Sequence, residues 1–328
     1  RRHMQQTIDD QLLIDIEQHA VEIARRGGLI LGKYFGQKIK VEYKDKRESD
    51  PVSQADRETQ DYLYKAIEAR FPDHGILGEE DDKQKQEDTS PAPDFLWVLD
   101  PLDGTKNFLH GLPVYACSVG VLYKGAPVAG AVFVPWPAEG GGIVFHAHKG
   151  GGAFADSELI SVHEADEPRG NVMVTLPGYF GTLSNFKKPM RGKVGELRVT
   201  GSIAYELVMV SRGITQYMIT TGPHLWDIVG GVAVAMEAGG ALFRGTRTSG
   251  AMGMFPSIKW EETDTLVPDW ESGTTSARDL HRWVQPLTLG SPPVAQYVTS
   301  NLRTRVNLRW RIWRQWRRWK ARRADGAS

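Results

Sequence analysis

Asp100-Pro101-Leu102-Asp103-Gly104-Thr105-Lys106-Asn107-Phe108 follows directly on the apolar run Phe95-Leu96-Trp97-Val98-Leu99. A short apolar run closed by proline and glycine reads as a buried strand that ends in a turn. Two carboxylates three residues apart at that strand end can converge on one spot. Carboxylates and backbone carbonyls are the oxygen donors that a hard cation such as magnesium takes. Gly104 lets the backbone approach a ligand closely. If a short helix begins after it, the first N–H groups can face a phosphate. A bare pair of acids at this spacing is more often an ordinary turn capping a helix, so the rest of the chain has to decide.

Acids stand at three further places, each at the end of an apolar element. Gly78-Glu79-Glu80 closes a short apolar strand. Trp226-Asp227 opens an apolar helix, and Asp56 in Asp50-Pro51-Val52-Ser53-Gln54-Ala55-Asp56 falls in the first turn of another. Taken singly, Asp227 is a capping residue and Asp56 a favourable contact with a helix dipole. Together with Asp100 and Asp103 they supply carboxylates from four separate segments.

Around these anchors the chain reads as mixed α/β. A first helix is expected from an N-cap at Thr7, with Leu12, Ile16, Ala20 and Ile23 near one face and Gly27-Gly28 close to its end. A second runs from about Ser53 to Arg70, before Pro72. Strands are expected at Ile76–Gly78, Phe95–Leu99, Ala116–Tyr123 and Pro127–Val134, the last two joined at Lys124-Gly125. The charged stretch 81–93 reads as a solvated loop. From Asn171 strands and helices alternate: Val172–Leu176, Leu197–Thr200, helix Ser202–Ser211, Thr215–Thr220, helix Asp227–Ala238 and Ala241–Phe243. The expected division is an α+β subdomain over 1–165 carrying most of the acids, an α/β subdomain over 166–301, and a basic tail over 302–328. Residues 244–284, with Trp260, Trp270 and Trp283, read as irregular loops. Gln285–Leu289 reads as a last strand, and Ser291-Pro292 as a helix start.

In that order, DPVSQAD, GEE, DPLDGTKNF and WDIVGG resemble the inositol monophosphatase family of magnesium-dependent phosphatases. KGGGAF at 149–154 and GSIAYEL at 201–207 are similar to further family segments. The resemblance covers roughly residues 7–243, and 285–301 resemble the closing strand and helix. It implies a layered αβαβα sandwich with two to three Mg2+ ions. By motif position, Glu79, Asp100 and the Leu102 carbonyl would hold one ion, and Asp100, Asp103 and Asp227 a second. Glu79 with waters would hold a weaker third. The N–H groups of Gly104 and Thr105 would take the phosphate, with Asp103, Ser202, Thr220 and Asp227 as further substrate contacts. The Thr105 hydroxyl, supported by Asp56, would orient the attacking water beside Glu79. The implied activity is hydrolysis of a small polyol, sugar or inositol-1-phosphate-like monoester by direct attack of a metal-activated water, in a cytoplasmic homodimer. Metals suit that reaction because a phosphate monoester is anionic and repels a nucleophile. The family's inositol phosphatases usually carry a Glu seven residues before the helix aspartate; here Thr220 stands there. Sugar phosphates, histidinol phosphate and nucleotide phosphates are then alternative substrates. A second reading is an RNA- or transcription-complex-binding protein on the same fold, catalytic or not, as in the family's extragenic-suppressor subgroup.

Composition narrows the remaining classes. The 328 residues are 41% hydrophobic and 24% charged, which excludes a disordered or collagen-like chain. A single cysteine, Cys117, excludes a disulfide framework and a Cys-rich zinc site, and its apolar strand makes it core rather than nucleophile. Gly150 to Ala155 fits a dinucleotide fingerprint in spacing only, since strand-like Leu159-Ile160-Ser161-Val162 follows instead of a helix. His146 and His148 lie on one side of a strand, with surface or packing roles expected rather than a metal. No leader or membrane span is expected, because Val114–Val134 is broken by Lys124, Gly125 and Pro127.

The equal totals of 40 basic and 40 acidic side chains hide an asymmetry. Residues 302–328 hold ten basic groups and one acid, Asp325, so they carry +9 and the rest of the chain −9. Trp310, Trp313, Trp316 and Trp319 recur every third residue among the arginines. A helix begun at Pro292 is expected to continue through this tail. It would suit an anionic membrane surface, a nucleic acid, or packing against the acidic body.

Overall fold

The structure, a computed structural model, describes residues 8–38, 41–43, 51–248 and 257–304. Its first elements are α1 (Asp10–Tyr34), β1 (Val41–Tyr43), β2 (Pro51–Ser53), α2 (Gln54–Arg70), β3 (Gly75–Gly78), α3 (Lys83–Gln86), β4 (Phe95–Asp103) and α4 (Thr105–Leu109). Strands β5 (Ala116–Tyr123), β6 (Ala126–Val134), β7 (Ile143–His148), β8 (Gly152–Ala155), β9 (Glu158–Leu159) and β10 (Met173–Thr175) follow. Then come α5 (Phe180–Leu183), β11 (Ser184–Phe186), β12 (Glu196–Arg198), α6 (Ile203–Ser211), β13 (Thr215–Thr220), α7 (Leu225–Glu237) and β14 (Ala241–Thr248). The last are β15 (Ser257–Glu262), α8 (Ala277–His281), β16 (Leu287–Gly290), α9 (Pro292–Ser300) and β17 (Leu302–Thr304).

Two sheets carry the fold. One has the order β3-β4-β5-β6-β7-β8-β9, and the other β12-β10-β13-β16-β14-β15. Strand alternation sets what each face meets. Trp97 and Leu99 of β4 join Leu13, Ile16, Ile23 and Leu63 in a core under α1 and α2. Leu96 and Val98, pointing the other way, join Leu207, Val208, Ile228 and Val232 of α6 and α7. In the second sheet Met218 faces that same central core, while Tyr217 and Ile219 face Val294 and Val298 of α9. The layers are therefore helices, sheet, helices, sheet, helix, as the resemblance implied. Among the described residues, no helix is long and apolar enough to cross a membrane.

Several expectations shift in detail. Thr7 lies outside the described residues, and the N-cap of α1 is Asp9, which accepts from Gln11 N at 3.1 Å. Gly27-Gly28 does not end the helix. A Cβ on Gly28 would fall 2.2 Å from the Phe133 ring, so the pair lets α1 close on the sheet. The Lys124-Gly125 turn has φ of 48° and 81°, the left-handed pair a two-residue hairpin needs. The charged stretch after Glu80 is not all loop, since Asp82 caps the short helix α3 through Lys85 N at 2.9 Å.

Residues 244–284 are more regular than their composition suggests. β14 runs on to Thr248 and pairs with β15 from Phe243↔Glu262 to Thr248↔Ser257. β15 is an edge strand whose two large apolar side chains, Ile258 and Trp260, are only half-buried among exposed polar ones, and so gives too short an alternation to signal a buried strand. Trp270 and Trp283 pack on the central core. The expected helix from Pro292 into the tail is corrected: α9 ends at Ser300. The Asn301 amide donates to Tyr297 O at 2.8 Å, and Leu302 turns inward beside Met190 and Val298. Residues 302–304 are extended and pair with β11. The Trp/Arg stretch from 305 onward lies outside the described residues.

Candidate active site

On a regular strand, residues three apart point to opposite faces. Asp100 and Asp103 do not, because β4 slips against β5 between them: Asp100 pairs with Ser118 and Asp103 with Ala116. One extra residue is thus accommodated on β4, in a bulge that contains Pro101, which has no N–H to give to the ladder. Leu102 N donates to Asp100 Oδ1 at 3.0 Å and fixes the turn. Both aspartates are buried.

The third carboxylate arrives on α7, and glycines set how close that helix comes. A Cβ on Gly130 would sit 2.2 Å from Gly230 O, and one on Gly120 2.5 Å from Gly230 N. Gly230 of WDIVGG therefore lets the helix backbone touch β5 and β6 directly, with the first turn of α7 over the end of β4, while Gly231 makes room for Leu207 of α6. Asp227 is the third residue of that helix and accepts from His224 N at 2.7 Å, a capping interaction. Oxygen atoms of Asp100, Asp103 and Asp227 all lie within 4.8 Å of one another.

Other groups support this cluster. Ser202 caps α6 and donates its hydroxyl to Asp103 Oδ2 at 2.7 Å, and Ala204 N donates to the same oxygen at 2.5 Å. Thr105 Oγ1 lies 3.0 Å from the Leu102 carbonyl and 3.4 Å from Asp56 Oδ1. A hydroxyl has one proton, so it serves one of these acceptors at a time. Asp56 is buried in a capping box with Ser53, whose N–H donates to Asp56 Oδ2 at 2.8 Å. Glu79 follows β3, its N–H donating to Leu99 O at 3.1 Å, and its carboxyl lies within hydrogen-bond reach of Asp100. Gly104 caps α4 at φ 87°, where a Cβ would press on Val114 O at 2.9 Å. Thr220 ends β13, buried and opposite Leu287. Lys44 and Lys46, basic side chains near the Asp50 segment, lie outside the described residues.

The electrostatics are those of crowded acids. Burial, then Glu79, Asp103 and Asp227, push the Asp100 carboxyl well above its ordinary range. Burial raises Asp103 to about 7 against the opposing hydrogen bonds of Ser202 and Ala204, and burial raises Asp56 to about 6. Three hard oxygen donors, two buried and that of Asp227 half-buried, converge with like charge and fit a divalent cation, which would relieve the repulsion.

Some of the supporting residues carry no obvious sequence signal. Asn107 donates to Val114 O at 2.7 Å and Thr200 O at 2.8 Å, tying α4 to the loop before α6; it sits inside the motif but without an evident role there. Glu206 accepts from Thr200 Oγ1 at 2.8 Å, and burial raises it to about 7. Asp81 receives Gly78 N at 3.0 Å and His281 Nε2 at 3.2 Å. His281 comes from the stretch that reads as irregular, and only the fold brings it here.

Known proteins match this chain over most of its length. A profile of the Inositol monophosphatase family matches residues 13–281. An "Inositol monophosphatase" of Dictyostelium discoideum is 32% identical over 233 residues, 69% of this chain and 83% of the relative. A "Histidinol-phosphatase" of Chlorobaculum parvum is 28% identical, covering 69% of this chain and 84% of its own. A "Nus factor SuhB" of Pasteurella multocida is 29% identical, covering 67% and 82%. Among solved structures, a Thermotoga maritima IMPase superposes with a TM-score of 0.62 at 25% identity, over 89% of this chain and 96% of its own. With the profile spanning most of the chain, the chain belongs to the inositol monophosphatase family.

Proposed function

We propose that the protein is a Mg2+-dependent phosphoric monoester hydrolase acting on a small polyol, sugar or related phosphate. The observation that carries this is the convergence of Asp100, Asp103 and Asp227 oxygens within 4.8 Å. Asp100, Asp103 and Asp227, with Glu79 and the Leu102 carbonyl, would hold the magnesium ions. When bound, magnesium supplies charge neutralisation and Lewis-acid activation of water. The protein's own groups orient and move protons. Ser202 and Ala204 N fix the Asp103 carboxylate. The Gly104 and Thr105 N–H groups hold the phosphate at the start of α4. Thr105 Oγ1 positions the water, and Asp56, raised to about 6 by burial, accepts from that hydroxyl near neutral pH.

A cavity of about 930 Å³ opens beside the cluster, with Glu79, His224, Trp226 and Asp227 among its lining. The stacked rings of His224 and Trp226, 4.4 Å apart, give it a flat wall against which a cyclic substrate can lie. Thr220 offers no carboxylate to a sugar ring, so a substrate other than myo-inositol phosphate is favoured. The test is a panel of monoesters (inositol, hexose, histidinol and nucleoside phosphates) assayed for phosphate release with Mg2+ and with chelator. Release that does not require magnesium, or that survives in Asp100→Asn, overturns the reading. The name of the SuhB relative supports a second role in a transcription complex, which RNA binding by the intact chain would test.

A further inference from the structure

The end of the described chain lies beside a basic groove that the proposed reaction does not use. β17 pairs with β11 in the register Phe186↔Leu302, Asn185↔Arg303 and Ser184↔Thr304, so the described chain ends on this ribbon. Next to it is a cavity of about 660 Å³, with Phe186 and Val194 on its apolar side and Lys187, Lys188, Arg191 and Arg303 around it. No Asp or Glu lines it. Lys187 Nζ donates to Ser300 O at 2.7 Å. Among the described residues, Lys188, Arg191 and Arg303 meet no carboxylate, whereas nearby Lys193 and Arg198 are paired with Glu167 and Glu196. All four cations around the groove are exposed.

We propose that this basic groove docks on an anionic phospholipid bilayer, a partner that the composition of the residues following it also suits. Residues 305–328 add nine basic side chains against one acid, together with Trp310, Trp313, Trp316 and Trp319. Each cation near an anionic leaflet contributes about 1 kcal/mol, and tryptophan settles at the membrane–water boundary. The apolar share favours lipid over nucleic acid. Val306, Leu308 and Ile312 add aliphatic surface that cannot stack on bases, and the groove itself pairs a basic rim with an apolar side. Folding the tail back into the groove would set like charges together. The −9 carried by residues 1–301 turns the rest of the molecule away from the bilayer, so the charge asymmetry orients the protein with this end down.

The test is co-sedimentation of the full chain with vesicles of phosphatidylcholine alone or mixed with phosphatidylglycerol, at physiological salt. Binding is expected only to the mixed vesicles. Lys188→Glu, Arg191→Glu and Arg303→Glu together should weaken it by roughly 10-fold or more, with phosphatase turnover and circular dichroism unchanged. Loss of residues 305–328 should weaken it further. Equal binding of the triple variant and the parent overturns the role of the groove. Absence of binding to the mixed vesicles, or single-stranded RNA displacing the protein from them at equal phosphate concentration, overturns the bilayer as partner.

Discussion

His281 Nε2 lies 3.2 Å from Asp81 Oδ2, and both side chains are buried. Asp81 also receives the N–H of Gly78 and the hydroxyl of Tyr64, so it fixes the loop that carries Glu79 and Glu80. On its other side the His281 ring packs 5.6 Å from Trp226, which stacks on His224, the residue whose N–H bonds Asp227. One histidine thus links the Glu79 loop to the first turn of α7. Supporting groups one step behind a metal's ligands typically alter affinity by about 10–100-fold. His281→Ala is expected to raise the magnesium concentration for half-maximal activity by about that factor, while kcat at saturating magnesium changes less. A magnesium titration checks the split; a fall in kcat alone, with unchanged magnesium dependence, contradicts it.

The acid cluster should destabilise the protein when no cation is present. Asp100 and Asp103 are buried beside half-buried Glu79, which opposes the ionisation of both, and Asp103 opposes that of Asp100. Asp100→Asn removes one charge from that repulsion at nearly constant volume. The expected outcome in chelator is unchanged or higher stability, by up to about 1–3 kcal/mol, with phosphatase activity down by about 10³-fold or more. Thermal melts with and without magnesium check it: the parent should gain stability from the ion, and the variant far less.

The acids were legible because their positions follow from strand ends and turns in the local sequence. Asp100 and Asp103 stand out for that reason, and so does Asp227 at the opening of an apolar helix. What brings Asp100 and Asp103 to one point is not legible. It is the bulge against β5, a property of two strands and not of one. Likewise only the contact with β5 and β6 shows why position 230 is glycine. The start of β14 at Ala241–Phe243 was legible, but its run to Thr248, its partner β15 and His281 were not, because short exposed edge strands and short capped helices bury too little to impose a sustained hydrophobic period. The helix begun at Pro292 shows the opposite error. Its start is legible and is expected to run on through the tail, whereas Asn301 and the inward turn of Leu302 end it at Ser300.

Glycine at 230 is required by contact rather than by conformation. A Cβ there would meet Ser118 Oγ at 2.7 Å and Val119 O at 2.9 Å, the second a backbone atom that cannot swing aside. Gly230→Ala should push α7 off the sheet and carry Asp227 with it. The expected loss is about 1–3 kcal/mol of stability, accompanied by weaker magnesium binding. Gly32, with nothing within 4 Å of its Cβ position, is the control: Gly32→Ala on α1 should stabilise by about 0.5–1 kcal/mol with normal activity. Denaturant melts of both variants check the contrast.

His146 and His148 each reach Glu17 through Nδ1, His146 at 2.6 Å from Oε1, so β7 is bound to α1 by a shared carboxylate. Sequence alone placed the two histidines on one side of a strand but could not supply this partner. Around the trio, β8 contributes the stacked Phe154 ring, the turn after it the Asp156 carbonyl, 2.8 Å from His146 Nε2, and Arg25 of α1 pairs with the Asp156 carboxylate. Burial works to raise Glu17, but the hydrogen bonds to the two histidines outweigh it and hold its carboxyl below the usual 4.5. Burial likewise works to lower His146, and its bonds to Glu17 and Asp156 outweigh that and hold it above 6.5. The lowered carboxyl contributes stability above its ordinary value and loses it as pH falls through the depressed one. The raised imidazole contributes stability below its ordinary value and loses it as pH rises through the elevated one. Both contributions are therefore fully present between 4.5 and 6.5. His146→Gln should cost about 1–3 kcal/mol at pH near 5.5 and clearly less at pH near 8.5. Denaturant melts of parent and variant at the two pH values read the difference, and an equal or larger cost at the higher pH would show that the imidazolium contributes nothing to the clamp.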